Sequence, residues 1–276
     1  QVKWNTLSIQ GDYSFNADSK LQFYAAFTYS DRNSVGFTKS LSVIDTMNTV
    51  LGTYNPRQVD IDHYVTQSSE IRYLKQYKLG QQTQTWTSGV RLCNSEIHRL
   101  QQGIGSTSSN LDLTVSPDNF GDVFQKDLAL GTKNVALFSE HLFKVGKRLS
   151  LTPGFRSEYL INQLSGRSNN FASGIMEIQE KKRFILLGGL SSQFQLLAKQ
   201  RMKWSLYANA TQNYRPVMYS ELLPSSTTEV VDQAMKDVTG FTSELGTKGV
   251  FMDRKGPITF DINVFYLRYN GKIGTY

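Results

Sequence analysis

The segment Ile258 to Asn270 constrains this chain more than any other stretch. Ile258, Phe260, Ile262, Val264 and Tyr266 hold every second position, and Thr259, Asp261 and Asn263 fall between them. Phe265, Leu267 and Tyr269 join the second set towards the far end. Side chains alternate across an extended strand with period two, so one face is apolar throughout and the other is polar for half its length. A tight turn from Asp253 to Pro257 precedes this strand, and Thr239 to Met252 reads as its partner. The same unit of strand, short turn, strand and long polar connection recurs back to the N-terminus.

Leu7, Ile9, Tyr13 and Phe15 alternate with polar residues, turn at Asn16–Ser19, and continue as Leu21, Phe23, Ala25, Phe27 and Tyr29. Further hairpins are expected at 66–79 with 84–98, 134–145 with 149–164, and 184–198 with 203–214. Long connections are expected over Thr38–Tyr64, Arg99–Asp127, Ser165–Glu180 and Arg215–Val238, with Asn55-Pro56-Arg57 and Ser116-Pro117-Asp118 as breakers. This gives about ten strands, many longer than the roughly 9–11 residues that cross a bilayer at a tilt. Sandwich strands average about 5–6 residues, with no such difference between the two ends. The fold class expected over 1–276 is therefore all-β, a transmembrane antiparallel up-and-down β-barrel.

No apolar run approaches the roughly 20 residues of a membrane helix. Barrels lack such runs because only alternate residues face lipid. The chain has 16 Phe, 14 Tyr and 3 Trp, yet a mean hydropathy of −0.37. Trp4, Trp86, Trp204 and the strand-end tyrosines are expected in interfacial aromatic girdles. An open sheet edge does not survive in hydrocarbon, so the strands that close the barrel are expected outside this sequence. Gln1–Asn5 shows no secretory leader and Tyr276 follows a strand closely, the expectation being a piece of a longer chain.

Asn134 to Tyr159 resembles a hairpin of TonB-dependent outer-membrane receptors, above all those of the ferric citrate transporter kind. Tyr214-Arg-Pro-Val-Met-Tyr-Ser-Glu-Leu-Leu-Pro224 is similar to a segment of the same family. Phe241-Thr-Ser-Glu-Leu-Gly-Thr-Lys-Gly249 with Phe260 to Gly274 resembles its late strand pair, and Glu70-Ile-Arg-Tyr73 and Gly89-Val-Arg91 also fit. The resemblance implies a barrel of about 22 strands, with a plug domain and a TonB-engaging box that lie outside this sequence. It implies active import across the outer membrane of a Gram-negative bacterium, energised through TonB, of a scarce solute such as ferric citrate or a siderophore. Implied partners are the TonB complex through the plug, outer-membrane lipid and lipopolysaccharide, and the ferric chelate. Alternatives are a starch-utilisation-type importer with a surface lipoprotein, a structural component of an envelope complex, and a passive porin.

The formal net charge is +7, from 30 Lys+Arg against 23 Asp+Glu. Arg72, Arg91, Arg156, Glu158, Glu244 and Lys248 fall on polar strand faces. They read either as a basic lumen for an anionic chelate or as ion pairs between strands and contacts to a plug. Arg99, Arg167, Tyr214 and Arg215 sit at strand–loop junctions where a solute would arrive. The candidate substrate-binding residues are thus Arg91, Arg99, Arg156, Arg167, Tyr214 and Arg215. Asp60-Ile61-Asp62-His63 offers a weak hard-ion signal in a loop, and His98 and His141 have no spaced ligand partners. Gly103-Ile104-Gly105 lacks the remainder of a dinucleotide fingerprint, and no nucleophile elbow, P-loop or zinc-protease helix is present. No enzyme, cofactor or nucleic-acid partner is expected, since the basic residues are dispersed. Cys93 stands alone, which leaves no intrachain disulfide framework.

Overall fold

The computed structural model describes residues 1–40, 42–117, 122–169, 175–222, 231–232, 235–254 and 256–271, with backbone alone for 175–178 and 220. Asp118, Leu223, Pro224, Lys255 and 272–274, named above in turns, breakers and family-like segments, lie outside the described residues.

The strands are β1 (Val2–Asn16), β2 (Ser19–Gly36), β3 (Gln58–Leu79), β4 (Gln82–Gly105), β5 (Val115–Ser116), β6 (Phe124–Val145), β7 (Leu149–Ser168), β8 (Ile175–Lys199), β9 (Met202–Arg215), β10 (Val238–Asp253) and β11 (Gly256–Asn270). One short helix, α1 (Tyr219–Leu222), lies between β9 and β10. All form one antiparallel sheet in which each long strand pairs with the next along the chain, and the two-residue β5 hangs on β4. This is an up-and-down meander, the connectivity of a transmembrane barrel. The sheet is open, with β1 and β11 as its margins.

Paired residues share a face, so the registers propagate two surfaces around the sheet. One runs Leu7–Phe27 on β1–β2 and Val135–Tyr159–Phe184 on β6–β8. Its large apolar side chains lie open, Phe184 at 72% and Leu186 at 62%. Along β7 the apolar run spans twelve residue steps, Leu149 to Ile161. At about 3.3 Å per residue that is about 40 Å of strand. A tilt near 40° brings its height to about 30 Å, the hydrocarbon thickness of a bilayer. Exposure of this band is the state that lipid requires.

Short turns close one end of the sheet. At two of them Gly80 and Gly146 hold left-handed backbone (φ 61° and 65°), which suits glycine. Near this end the apolar face carries an aromatic row. Tyr13 and Phe15 meet at 4.9 Å, Tyr73 and Trp86 at 5.9 Å, and Tyr77 and His141 at 5.7 Å between centroids. The polar tips are satisfied locally: Trp86 Nε1 donates to Ser139 Oγ (2.9 Å) and Trp204 Nε1 to Thr247 Oγ1 (2.6 Å). Trp4 departs from the expected girdle. It pairs with Ser30 on the opposite, polar face and donates to Thr6 Oγ1.

Three long connections are shorter than expected. β3 begins at Gln58, β4 continues to Gly105, and β7 and β8 meet the third connection at Ser168 and Ile175. These extra strand ends rise above the apolar band, where water wets both faces. Arg167 and Glu180 occupy band-face positions there, so alternation no longer marks the strand.

Candidate functional site

Midway along the polar face, two adjacent rows of cross-strand partners concentrate charge. One row runs Glu70–Arg91–Ala136–Glu158 and the other Arg72–Gly89–Phe138–Arg156. Phe138 is the irregularity, an aromatic at a polar-face position of β6. Its ring lies across Gly89, where an added Cβ would come 2.5 Å from Phe138 Cζ and 2.6 Å from the Ile71 carbonyl oxygen. Only a residue without Cβ admits the ring. Arg72 and Arg156 then flank the ring from either side, with guanidinium carbons 5.7 and 6.0 Å from its centroid. Each arginine is also ion-paired two residues along its own strand, Arg72 to Glu70 and Arg156 to Glu158. A spacing of two keeps both partners on one face.

These side chains border an open cleft of about 590 Å³, further lined by Arg91, Glu140 and Thr152. Arg91 projects into it with no ion pair or side-chain hydrogen bond among the described residues. Two guanidiniums held over the ring and ion-paired, beside a third with no partner among the described residues, gather hydrogen-bond donors at one cleft. Such donors match bidentate oxygen acceptors such as carboxylates.

At the end bearing the long connections, residues 216–222 of the fourth one lie over the polar face. Val217 and Leu222 pack on Leu128, Leu130 and Leu164 of the sheet. The Tyr219 hydroxyl donates to the Gly131 carbonyl and lies 2.8 Å from Thr132 Oγ1. Asp237 fastens the other end of the connection. Its carboxylate accepts from Arg183 Nε (2.6 Å), the Tyr214 hydroxyl (2.6 Å) and the Val217 amide (2.9 Å). Burial pushes the Asp237 carboxyl up, but the Arg183, Tyr214 and Val217 bonds outweigh it and hold it below its usual value. In Glu221 burial likewise acts upward and is outweighed by Arg215 and the Met218 amide.

Asp237 sits where the wall thins. The β8–β9 ladder ends at Gly189–Thr211, although β9 continues to Arg215. Gln212 Oε1 accepts from the Gly188 amide (2.7 Å) across the split. A cavity of about 380 Å³ opens there, bordered by Arg183, Tyr214 and Asp237.

The six residues singled out from sequence are not brought together. Arg91 and Arg156 share the mid-height cleft. Arg99 lies on the polar face nearer the loops, 3.6 Å from Asp62, which is only 1% exposed and also takes Arg32. Arg167 lies on the opposite face, paired with Asp122 and donating to the Phe124 carbonyl (2.9 Å). Tyr214 serves Asp237, and Arg215 binds Glu221 beside α1 (2.6 Å). The Asp60–His63 cluster is strand, not loop. Asp60 is held by Gln58 and the Gln102 amide, and Asp62 by its arginines and Tyr64. Phe138, Gly89, Arg183 and Asp237 escaped the sequence reading. An aromatic out of phase in β6 was the one available signal, for Phe138.

Among solved structures the chain is similar to the ferric citrate transporter FecA in its unliganded form, with a TM-score of 0.71, 18% identity, and coverage of 98% of this chain and 35% of that one. It is also similar to the ferric-catecholate import receptor Fiu from E. coli K12, closed form, with a TM-score of 0.67, 10% identity, and coverage of 97% and 41%. The siderophore receptor PiuA from Acinetobacter baumannii gives 0.67, 12%, 96% and 40% respectively. The chain thus spans well under half the length of these proteins, and at such identities the likeness shows the fold. No curated protein matches it in sequence. The family model for the TonB dependent receptor-like β-barrel matches residues 2–276, and with this meander the chain belongs to that family.

Proposed function

We propose that this chain is wall and lumen of an outer-membrane receptor that imports a scarce solute of the ferric-chelate class, with energy supplied through TonB. The observation that carries the reading is the polar-face cleft, where Phe138 is clasped by Arg72 and Arg156 and Arg91 has no partner among the described residues. Guanidiniums held in this way bind an anionic chelate through its carboxylate or catecholate oxygens. The structural relatives, a ferric citrate transporter and a siderophore receptor, point the same way. On this reading a plug and the closing strands lie beyond this sequence, and TonB acts on the plug. The residues here supply wall, charge and loops without covalent chemistry. Lys133 and Lys182 flank Ile161 in the row that tops the apolar band, level with lipopolysaccharide phosphates.

The test is binding of ferric citrate and a ferric catecholate to the full-length protein, and growth on each with and without TonB. Arg91→Ala and Arg156→Ala are expected to weaken chelate binding at least tenfold, and uptake is expected to vanish without TonB. Unchanged affinity in both variants removes the cleft from the site. TonB-independent uptake, or binding of oligosaccharide in place of chelate, overturns the reading.

A further inference from the structure

We propose that His63 and His98 form a binding site for a divalent transition-metal ion of the zinc, copper or nickel class on the outer rim of the barrel. The two are direct cross-strand partners in β3 and β4, on the face that carries the apolar band. Direct partners hold their Cβ atoms about 4.5–5.5 Å apart, close enough for two imidazoles to share one ion. Their level is above the row Gln67–Asn94–Lys133, where the band has given way to polar residues. Both rings are open to the medium, at 41% and 49% exposure.

Each imidazole is already oriented by a carboxylate from the strand on its far side. His63 Nδ1 lies 2.6 Å from Asp31 Oδ1 on β2, and His98 Nε2 lies 2.8 Å from Asp127 Oδ1 on β6. A neutral imidazole that gives its N–H to a carboxylate keeps a lone pair on its other nitrogen. His63 Nε2 and His98 Nδ1 are the nitrogens so freed. Carboxylate, histidine and metal in that order is the usual build of a metal-ligating histidine, the carboxylate fixing the ring and raising its basicity. Imidazole nitrogen suits zinc, copper and nickel.

Among the described residues no three His, Cys, Asp or Glu side chains converge as a closed cage. The ion therefore takes two protein nitrogens and completes its shell with exchangeable water. Asp60 and Asp62 take no part, since they lie on the other face. A bound ion cross-braces the loop end of the β3–β4 hairpin, on the opposite side of the wall from the chelate cleft.

Zinc chloride titrated calorimetrically into the metal-free full-length protein in detergent micelles tests this. One equivalent is expected to bind. His63→Gln and His98→Gln should each weaken that binding at least tenfold, Asp127→Asn by about tenfold, and His141→Gln not at all. Copper(II) in the same protein should show an electron paramagnetic signature of two nitrogen ligands, lost in the double His63→Gln/His98→Gln variant. Absence of stoichiometric zinc binding, or equal binding by wild type and the double variant, overturns the proposal.

Discussion

Asp237→Asn is the sharpest perturbation of the loop that covers the polar face. Arg183 has an 8% exposed side chain and its charge is balanced by Asp237 at 2.6 Å. Its Nη2 is already buried without a partner among the described residues. Removing one member of a buried ion pair costs about 3–5 kcal/mol, because the other charge stays uncompensated. Asp237 is partly open, which argues for the lower end. Against this, seating the fourth connection buries Val217 and Leu222, worth about 1.5–3 kcal/mol each. A loss of about 3 kcal/mol is half or more of what that burial contributes. The variant should therefore release the connection, with exchange of the Met218 and Glu221 amides accelerated about a hundredfold, since 1.4 kcal/mol is one decade. Hydrogen exchange read by mass spectrometry checks this, with β9 below Thr211 as internal control. Arg183→Met combined with Asp237→Asn should restore most of the protection, because it removes the orphaned charge. Unchanged protection in Asp237→Asn alone would refute the latch.

Gly89→Ala places a methyl against the Phe138 ring and the Ile71 carbonyl, and should destabilise the barrel by about 1–3 kcal/mol in urea unfolding. Phe138→Ala in the same background should recover part of that. Leu186→Arg, on the band face, should cost about 2–4 kcal/mol near the bilayer midplane, whereas Ser191→Arg on the polar face should be tolerated in the same refolding assay. Asp237 and Glu221 have carboxyls held below their usual values of 3.8 and 4.5. Their contribution is thus complete above the unfolded pKa and lost as pH falls through the depressed one. Pepsin cleavage of the fourth connection, measured relative to a denatured substrate at the same pH, should rise as pH falls below the usual carboxyl range.

How much was legible in the sequence follows from where alternation survives. Leu149, Leu151, Phe155, Tyr159 and Ile161 declare their face unaided, because lipid demands apolar residues at every second position. Above the band both faces meet water, so Arg167 and Glu180 give no period, and the strand ends beyond Leu164 and before Lys181 were read as loop. The ion pairs Glu70–Arg72 and Arg156–Glu158 follow from a spacing of two on a strand and were within reach. Trp4 misled because composition says nothing of register. Arg183 with Asp237, and His63 with His98, are far apart in sequence and meet only through strand pairing and the return of a long connection. No local pattern encodes such meetings.

One face of this wall meets lipid and the other water, and spin-label accessibility along β7 probes the two most directly. Single cysteines from 153 to 162, in a Cys93→Ser background of the full-length protein in lipid bilayers, are labelled and relaxed by oxygen or by a water-soluble nickel chelate. Labels at 153, 155, 157, 159 and 161 should favour oxygen, and those at 154, 156, 158, 160 and 162 the nickel chelate. Loss of that two-residue rhythm, or its inversion, would contradict the architecture and every functional reading placed on it.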